Sequence, residues 1–344
     1  MIVSSPSSPA QGKTQTGIFG RIPPWVTLLA LAPILGELVS SHQTPLEFVN
    51  PFNLLILSLP YGCGALICRE LLIRWSGSAL SLLLLGLAFG VYEEGVVVYS
   101  LFDPDWSELG PLATYGFRVG VNWTWSIMTI QFHALISIGS SVVLAHIIHS
   151  DRRNQAWLGK RGLIACGAGL LAWIPVLGLI MKYDMHRPFP QLYLYLLAWG
   201  VVLGLVFAAY RLAIRQVPSV KTVRARPWFF FVLGLINITV VFSCVFITAE
   251  YGFPPLGVTL LSLVLFDAIS LALVWRWSGH TRGWDDRHRL ALIAGLLVFF
   301  VFFAFTKDFE SWHGTSIIGI LTIMGLWQLG RTVHRKRQLS GYTS

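Results

Sequence analysis

Two adjacent glutamates and one histidine stand where charge is least expected. Glu93 and Glu94, in FGVYEEGVVVYS, and His133, in MTIQFHALISI, are embedded in otherwise apolar sequence. At the centre of a membrane helix an ionised acid costs roughly 2.5–3.5 kcal/mol on the insertion scale, so each needs a reason to be there. A carboxylate beside an imidazole is an acid–base pair, a proton relay or part of a metal site. The same contact in a purely structural role is a hydrogen-bonded pair that fixes helix packing. Glu93, Glu94 and His133 are therefore the catalytic candidates. Asp267, in VLFDAIS, and Asn237, in GLINITV, are candidates for holding a substrate or an ion. Glu37 is the remaining acid of this kind, nearer the end of its apolar stretch. No full set of metal ligands is visible.

Depth brings some of these groups together. Glu94 lies eight residues before Phe102, and His133 lies ten after Trp123. At 1.5 Å per residue both sit roughly 12–20 Å below the same surface, with Asp267 and Asn237 at similar depths. The stretches that carry the glutamates and His133 are consecutive and antiparallel, so direct contact is expected. Gly86 and Gly90 share a helix face with Glu93, and small residues there let two helices approach closely.

Ten stretches are long and apolar enough to cross a hydrocarbon core of ~30 Å. They are 24–41, 51–73, 79–101, 121–148, 162–181, 191–213, 228–250, 255–277, 289–306 and 315–333. The expected fold is all-α, a polytopic transmembrane bundle of about ten spans with both termini inside. Basic residues support that orientation. With the N-terminus inside, 21 of the 25 Lys and Arg fall in inner segments, and only Arg118, Lys182, Arg187 and Lys307 fall outside. This is the positive-inside pattern. Residues 1–22 read as a flexible cytoplasmic tail, 23–335 as one transmembrane domain, and 336–344 as a second cytoplasmic tail. Two sets of five helices, 23–181 and 191–333, would be related by inverted topology, as in many transporters.

Composition agrees. Apolar residues make up 55% of the 344 and DEKR only 12%, with a mean hydropathy of +0.66, which leaves a soluble protein nothing to cover its surface with. The net charge of +9 sits in short loops and reads as an insertion signal rather than a nucleic-acid surface. The expected partner is the lipid bilayer, with a small-molecule or ion substrate and no nucleic acid. Cys63, Cys68, Cys166 and Cys244 read as small buried residues. His146 and His149, beside Arg152 and Arg153, are expected to face solvent or headgroups. Pro60, Gly62 and Gly64 are expected to bend the second helix, or to break it beside a site. The 102–120 segment is either a lid over the helices or a surface connector. Asn237-Ile-Thr matches a glycosylation acceptor only by chance, since it lies inside a span.

The segments PLEFVNPFNLL, YGCGALICRELLIRW, VYEEGVVVYSLFDPDW and GVNWTWSIMTIQFHALISI resemble a family of uncharacterised bacterial multi-pass membrane proteins over roughly residues 36–150. That resemblance implies a bacterial inner-membrane location and no particular activity. Paired glutamates followed by a membrane histidine also resemble the CAAX-type and bacteriocin-processing intramembrane proteases, in which a glutamate activates water and histidines orient it. Only Glu93, Glu94 and His133 carry over. Val98 stands where that pattern has Arg, Thr129 where it has Phe, and Ser137 and Ser150 where it has Asn or Asp. The expected function is transport of a small solute or ion; the alternatives are an intramembrane hydrolase built on Glu93, Glu94 and His133, and a structural or assembly role. No motif specifies a cofactor or an oligomeric state.

Overall fold

A backbone in lipid has no water to bond, so each segment that crosses must satisfy its own N–H and C=O groups as helix. The computed structural model describes residues 22–214, 225–278 and 284–341. Its helices are α1 (Pro24–Val39), α2 (Pro51–Arg74), α3 (Ala79–Val97), α4 (Trp123–Ile148) and α5 (Lys160–Tyr183). They continue with α6 (Leu192–Ile214), α7 (Pro227–Tyr251), α8 (Leu256–Ser278), α9 (Asp286–Phe309) and α10 (Thr315–Gly341). Among the described residues nine of these are long and apolar enough to cross a membrane, and α1 is a shorter apolar helix. The ten match the ten apolar stretches. The 1–21 part of the N-terminal segment, the basic residues at 215, 221, 224 and 282, and the last three residues lie outside the described residues.

Local chemistry sets the helix starts. Proline occupies the first turn of α1, α2 and α7, where its missing N–H costs nothing. Ser78 caps α3 in a reciprocal box with Ser81, and Asn122 accepts from the Trp125 N–H at the start of α4. Asp285 accepts from the Arg287 and His288 N–H groups at the start of α9. Gly252 ends α7 in the left-handed conformation at φ 62°.

Side-chain bonds between loops fall into two sets, one at each end of the bundle. At one end Thr27 meets His149 at 2.8 Å, Arg153 meets Asp286 at 2.7 Å, and Lys336 meets Ser150 at 2.8 Å. At the other end Arg187 pairs with Asp103 at 3.4 Å and the Tyr115 hydroxyl donates to the Pro254 carbonyl at 2.6 Å. The start of α1 and the end of α10 therefore lie at the same end. α4 is the central helix. Its Ile138, Val142 and Ala145 pack into a core shared with α1 to α3, α5 and α6. Its Phe132, Ile136 and Leu144 pack with α1, α7, α9 and α10.

Two features hold the bundle. Glycine contacts bring helices together: a Cβ on Gly86 would lie 2.8 Å from the Ala134 Cα, and one on Gly90 would lie 2.8 Å from the Ile130 carbonyl oxygen. At the basic end Arg69 is fully buried. It pairs with Glu70 at 2.6 Å, donates to the Arg153 and Gln155 carbonyls at 2.8 and 2.6 Å, and lies over the Trp157 ring at 3.6 Å. Trp157 N–H donates back to Glu70 at 2.7 Å. Removing one partner of such a pair leaves an uncompensated buried charge, so Arg69→Ala is expected to cost about 3–5 kcal/mol of stability. Arg69→Lys should recover only part of it, because an ammonium cannot reproduce the planar fork. Thermal melts of the detergent-solubilised variants check this; an unchanged melting temperature for Arg69→Ala would contradict it.

His146 and His149 correct the sequence expectation. His149 is buried against Thr27, and His146 accepts from the Arg69 Nε–H at 3.2 Å. The loop from 150 to 158 folds back over α2, so this helix end is covered by protein rather than by headgroups.

Candidate functional site

The polar residues of the first four helices converge through an unusual backbone. Four π-helical turns lie in α1 to α4: Ile34–Val39 and Tyr92–Val97 end α1 and α3, and Ser58–Gly62 and His133–Ser140 interrupt α2 and α4. A π turn inserts one residue into the helical repeat and re-aims the side chains that follow. The Ser58–Gly62 turn contains Pro60, whose missing N–H and bulky ring disfavour a regular α turn. These turns carry Glu37, Tyr61, Glu93 with Glu94, and His133, and all five residues line one cavity of about 310 Å³.

Glu94 and His133 are in direct contact. The imidazole Nε2 lies 2.8 Å from Glu94 Oε1, and its Nδ1 lies 3.2 Å from the Ser137 hydroxyl. An ionised Glu94 has only acceptors, so Nε2 carries a proton and donates, and in the neutral ring Nδ1 accepts from Ser137. The Ser100 hydroxyl donates to Glu94 Oε2 and accepts from Trp125 Nε1–H at 3.0 Å. Both Glu94 oxygens are thus held. Tyr61 OH donates to Glu37 Oε1 at 2.5 Å, and its ring lies 5.8 Å from that of His133. Glu93 differs: it is buried, it lines the cavity, and its Oε2 has no hydrogen-bond partner.

The 102–120 segment closes one end of the cavity. Trp106 and Glu108 line the cavity, while Leu109 and Leu112 of the same segment are buried against α4 and α7. A short antiparallel pairing of Phe117–Arg118 with Val121–Asn122 returns the chain to α4. Of the two sequence expectations for 102–120, this is the one that covers the helices.

Asp267 and Asn237 do not join the glutamates. Gln131, on α4, donates from Nε2 to both Asn237 Oδ1 and Asp267 Oδ1, each at 3.0 Å. Asn237 Nδ2 also donates to Asp267 Oδ1 at 3.0 Å. The result is a second polar group joining α4, α7 and α8. Among the described residues no group of three or more His, Cys, Asp or Glu side chains could hold a metal ion.

Sequence reasoning missed Tyr61, Ser100 and Gln131 as partners and placed Glu37 too far from the rest. Tyr61 carried a usable signal, since it follows Pro60 directly in the segment expected to bend.

A model of an uncharacterized membrane protein family matches residues 26–336. The chain belongs to that family. The match runs from the first turn of α1 into α10, so both polar groups lie within the matched residues. No curated protein and no solved structure matches the chain.

The α3–α4 contact makes one prediction here. A leucine at position 90 would meet the Ile130 backbone and crowd the His133 Cβ, 3.3 Å from the added Cβ. Gly90→Leu is expected to separate Glu94 from His133. A structure of the variant, or the loss of the hydrogen-bonded His133 Nε2–H signal by NMR, checks it; an intact contact would contradict it.

Proposed function

We propose that this family member is a bacterial inner-membrane protein, with both termini in the cytoplasm, whose Glu93, Glu94 and His133 perform water-dependent acid–base chemistry on a membrane-borne ester or amide. The observation that carries this reading is the 2.8 Å Glu94–His133 contact on the wall of a cavity that also presents the unpartnered oxygen of Glu93. Glu93 takes a proton from water as the water oxygen bonds to the carbonyl carbon. It returns that proton to the leaving oxygen or nitrogen as the bond to carbon breaks. One water is consumed, and Glu93 ends as it began. Glu94 and His133 share a proton and hold the charge balance beside Glu93.

The polar wall comes from α1 to α4, the loop after α1 and the 102–120 segment, and among the described residues Phe242 is the one lining residue from beyond α5. Sites in repeat-built transporters sit at the junction of the two halves, so this placement favours an enzyme. Transport of a small solute or ion is the second reading. It is favoured by Asp267, an acid bonded within the membrane to two amides on neighbouring helices.

The test uses purified protein in liposomes with p-nitrophenyl decanoate as probe. The wild type is expected to hydrolyse it, and His133→Ala to reduce the rate per folded molecule by about 10²-fold or more. Loss of folded yield instead would indicate a structural role. Absence of wild-type hydrolysis, together with a proton flux abolished by Asp267→Asn, would replace this reading with transport.

Orientation rests on the 21-to-4 charge split. Reporter fusions after residues 105, 184 and 310 should read as external, and fusions after 155 and 220 as internal. Reversed readings at any two of these sites would overturn it.

A further inference from the structure

The cavity has two unlike walls. The inner wall is polar, with Glu37, Tyr61, Glu93, Glu94 and His133. Another part of the lining is apolar: Ile56 and Leu57 of α2 and Trp173 and Leu177 of α5 line the cavity. Their immediate neighbours Leu55 and Val176 are 68% and 45% exposed, facing outward where lipid would be. α5 meets α2 on one side of this wall, where Leu59 is the nearest neighbour of a Cβ built at Gly169, and meets the segment after α3 on the other, where Tyr99 is that of one built at Gly178.

Three buried polar atoms on residues that line the cavity have nothing to bond, one of them the Gln43 Oε1 acceptor. Glu93 Oε2 is an acceptor, and Trp173 Nε1–H is a donor. An indole N–H buried without a partner costs free energy, so an occupant that accepts from it is stabilised. The occupant must therefore offer both an acceptor, for Trp173, and a donor, for Glu93. A hydroxyl or an amide offers both, an ammonium offers only donors, and a phosphate dianion only acceptors. Charge disfavours the anion: among the described residues that line the cavity there are four carboxylates, Glu37, Glu93, Glu94 and Glu108, two imidazoles, His42 and His133, and no Lys or Arg. The ammonium fails instead on Trp173, for which it has no acceptor.

We propose that the cavity takes a neutral amphiphile whose hydroxyl- or amide-bearing head sits between Glu93 and Trp173 and whose apolar tail leaves between α2 and α5 into the bilayer. This rests on the hydrolase reading and names its substrate class.

The experiment is binding by native mass spectrometry of the full-length protein in amphipol, with three twelve-carbon probes: dodecanoylglycerol, dodecyl phosphate and dodecylamine. Dodecanoylglycerol is expected to bind about ten-fold more tightly than either charged probe, since like-charge or unpaired polar contacts cost more than 1.4 kcal/mol. Trp173→Phe keeps the ring and removes the N–H, and is expected to weaken that binding about five-fold. Leu177→Trp fills the exit and should weaken it for the twelve-carbon chain but not for glycerol monoacetate. Equal or tighter binding of either charged probe would overturn the proposal. So would dodecanoylglycerol binding that neither variant changes. Binding is read without turnover, so the two readings separate. Selective binding with hydrolysis unaffected by Glu93→Gln would fail the reaction alone. Hydrolysis lost in Glu93→Gln with no preference for the neutral chain would fail the substrate class alone.

Discussion

Glu93→Gln is expected to lower ester hydrolysis by about 10²- to 10⁴-fold while leaving folded yield and melting temperature unchanged. The argument turns on the different environments of two neighbouring glutamates. Glu94 has both oxygens engaged, by His133 and by Ser100. Glu93 has an oxygen in the cavity wall with no partner, so changing it to an amide removes a base without breaking a bond of the fold. Glu94→Gln should behave otherwise. It exchanges charge-assisted bonds for neutral ones, each worth roughly 1.5–3 kcal/mol when charged, and is expected to lower stability as well as rate. Parallel measurement of p-nitrophenyl decanoate hydrolysis and thermal unfolding separates the two. If Glu93→Gln unfolds the protein as readily as Glu94→Gln does, Glu93 is a packing residue.

Gly295→Leu is expected to remove most of the folded protein. A Cβ at this position would lie 2.0 Å from the Phe231 carbonyl oxygen and 2.9 Å from the Leu235 nitrogen, so α9 rests directly on the backbone of α7. Gly234 makes the reciprocal approach, its Cβ position 2.5 Å from the Leu292 carbonyl oxygen. Overpacking against side chains costs typically 1–3 kcal/mol because they can turn aside. A backbone cannot, so the whole helix must move. Gly257→Leu is the control, since nothing lies within 4 Å of a Cβ there. Folded yield by size-exclusion chromatography should fall sharply for the first and not for the second. Equal yields would show that α7 and α9 do not depend on this contact.

The bundle was legible in the sequence because length and hydropathy are enough to define a span, and the ten apolar stretches match the ten helices. The Glu94–His133 contact was also within reach, since depth follows from counting residues and adjacent helices are antiparallel. Rotation was not. A helix apolar on all sides carries little record of which face meets protein and which meets lipid. Gln131 and His133, two residues apart on α4, consequently turned out to serve different polar groups. Glu37 looked remote because it lies near the end of its apolar stretch, whereas it sits in the π-helical turn at Ile34–Val39 and is bonded to Tyr61. His149 looked interfacial because its neighbours are basic; the covering loop that buries it is set by tertiary bonds of Arg69 that no local pattern announces.

The most direct measurement is labelling with a lipid-soluble carbodiimide, which attacks protonatable carboxyls within membranes, followed by peptide mass spectrometry of the wild-type protein. The account predicts that Glu93 is the principal labelled acid, because its Oε2 is free in the cavity while Glu94 is held on both oxygens. Loss of hydrolysis should rise in step with that label, and dodecanoylglycerol should protect against both. Full inactivation with Glu93 unlabelled, or full labelling of Glu93 with hydrolysis intact, would contradict it.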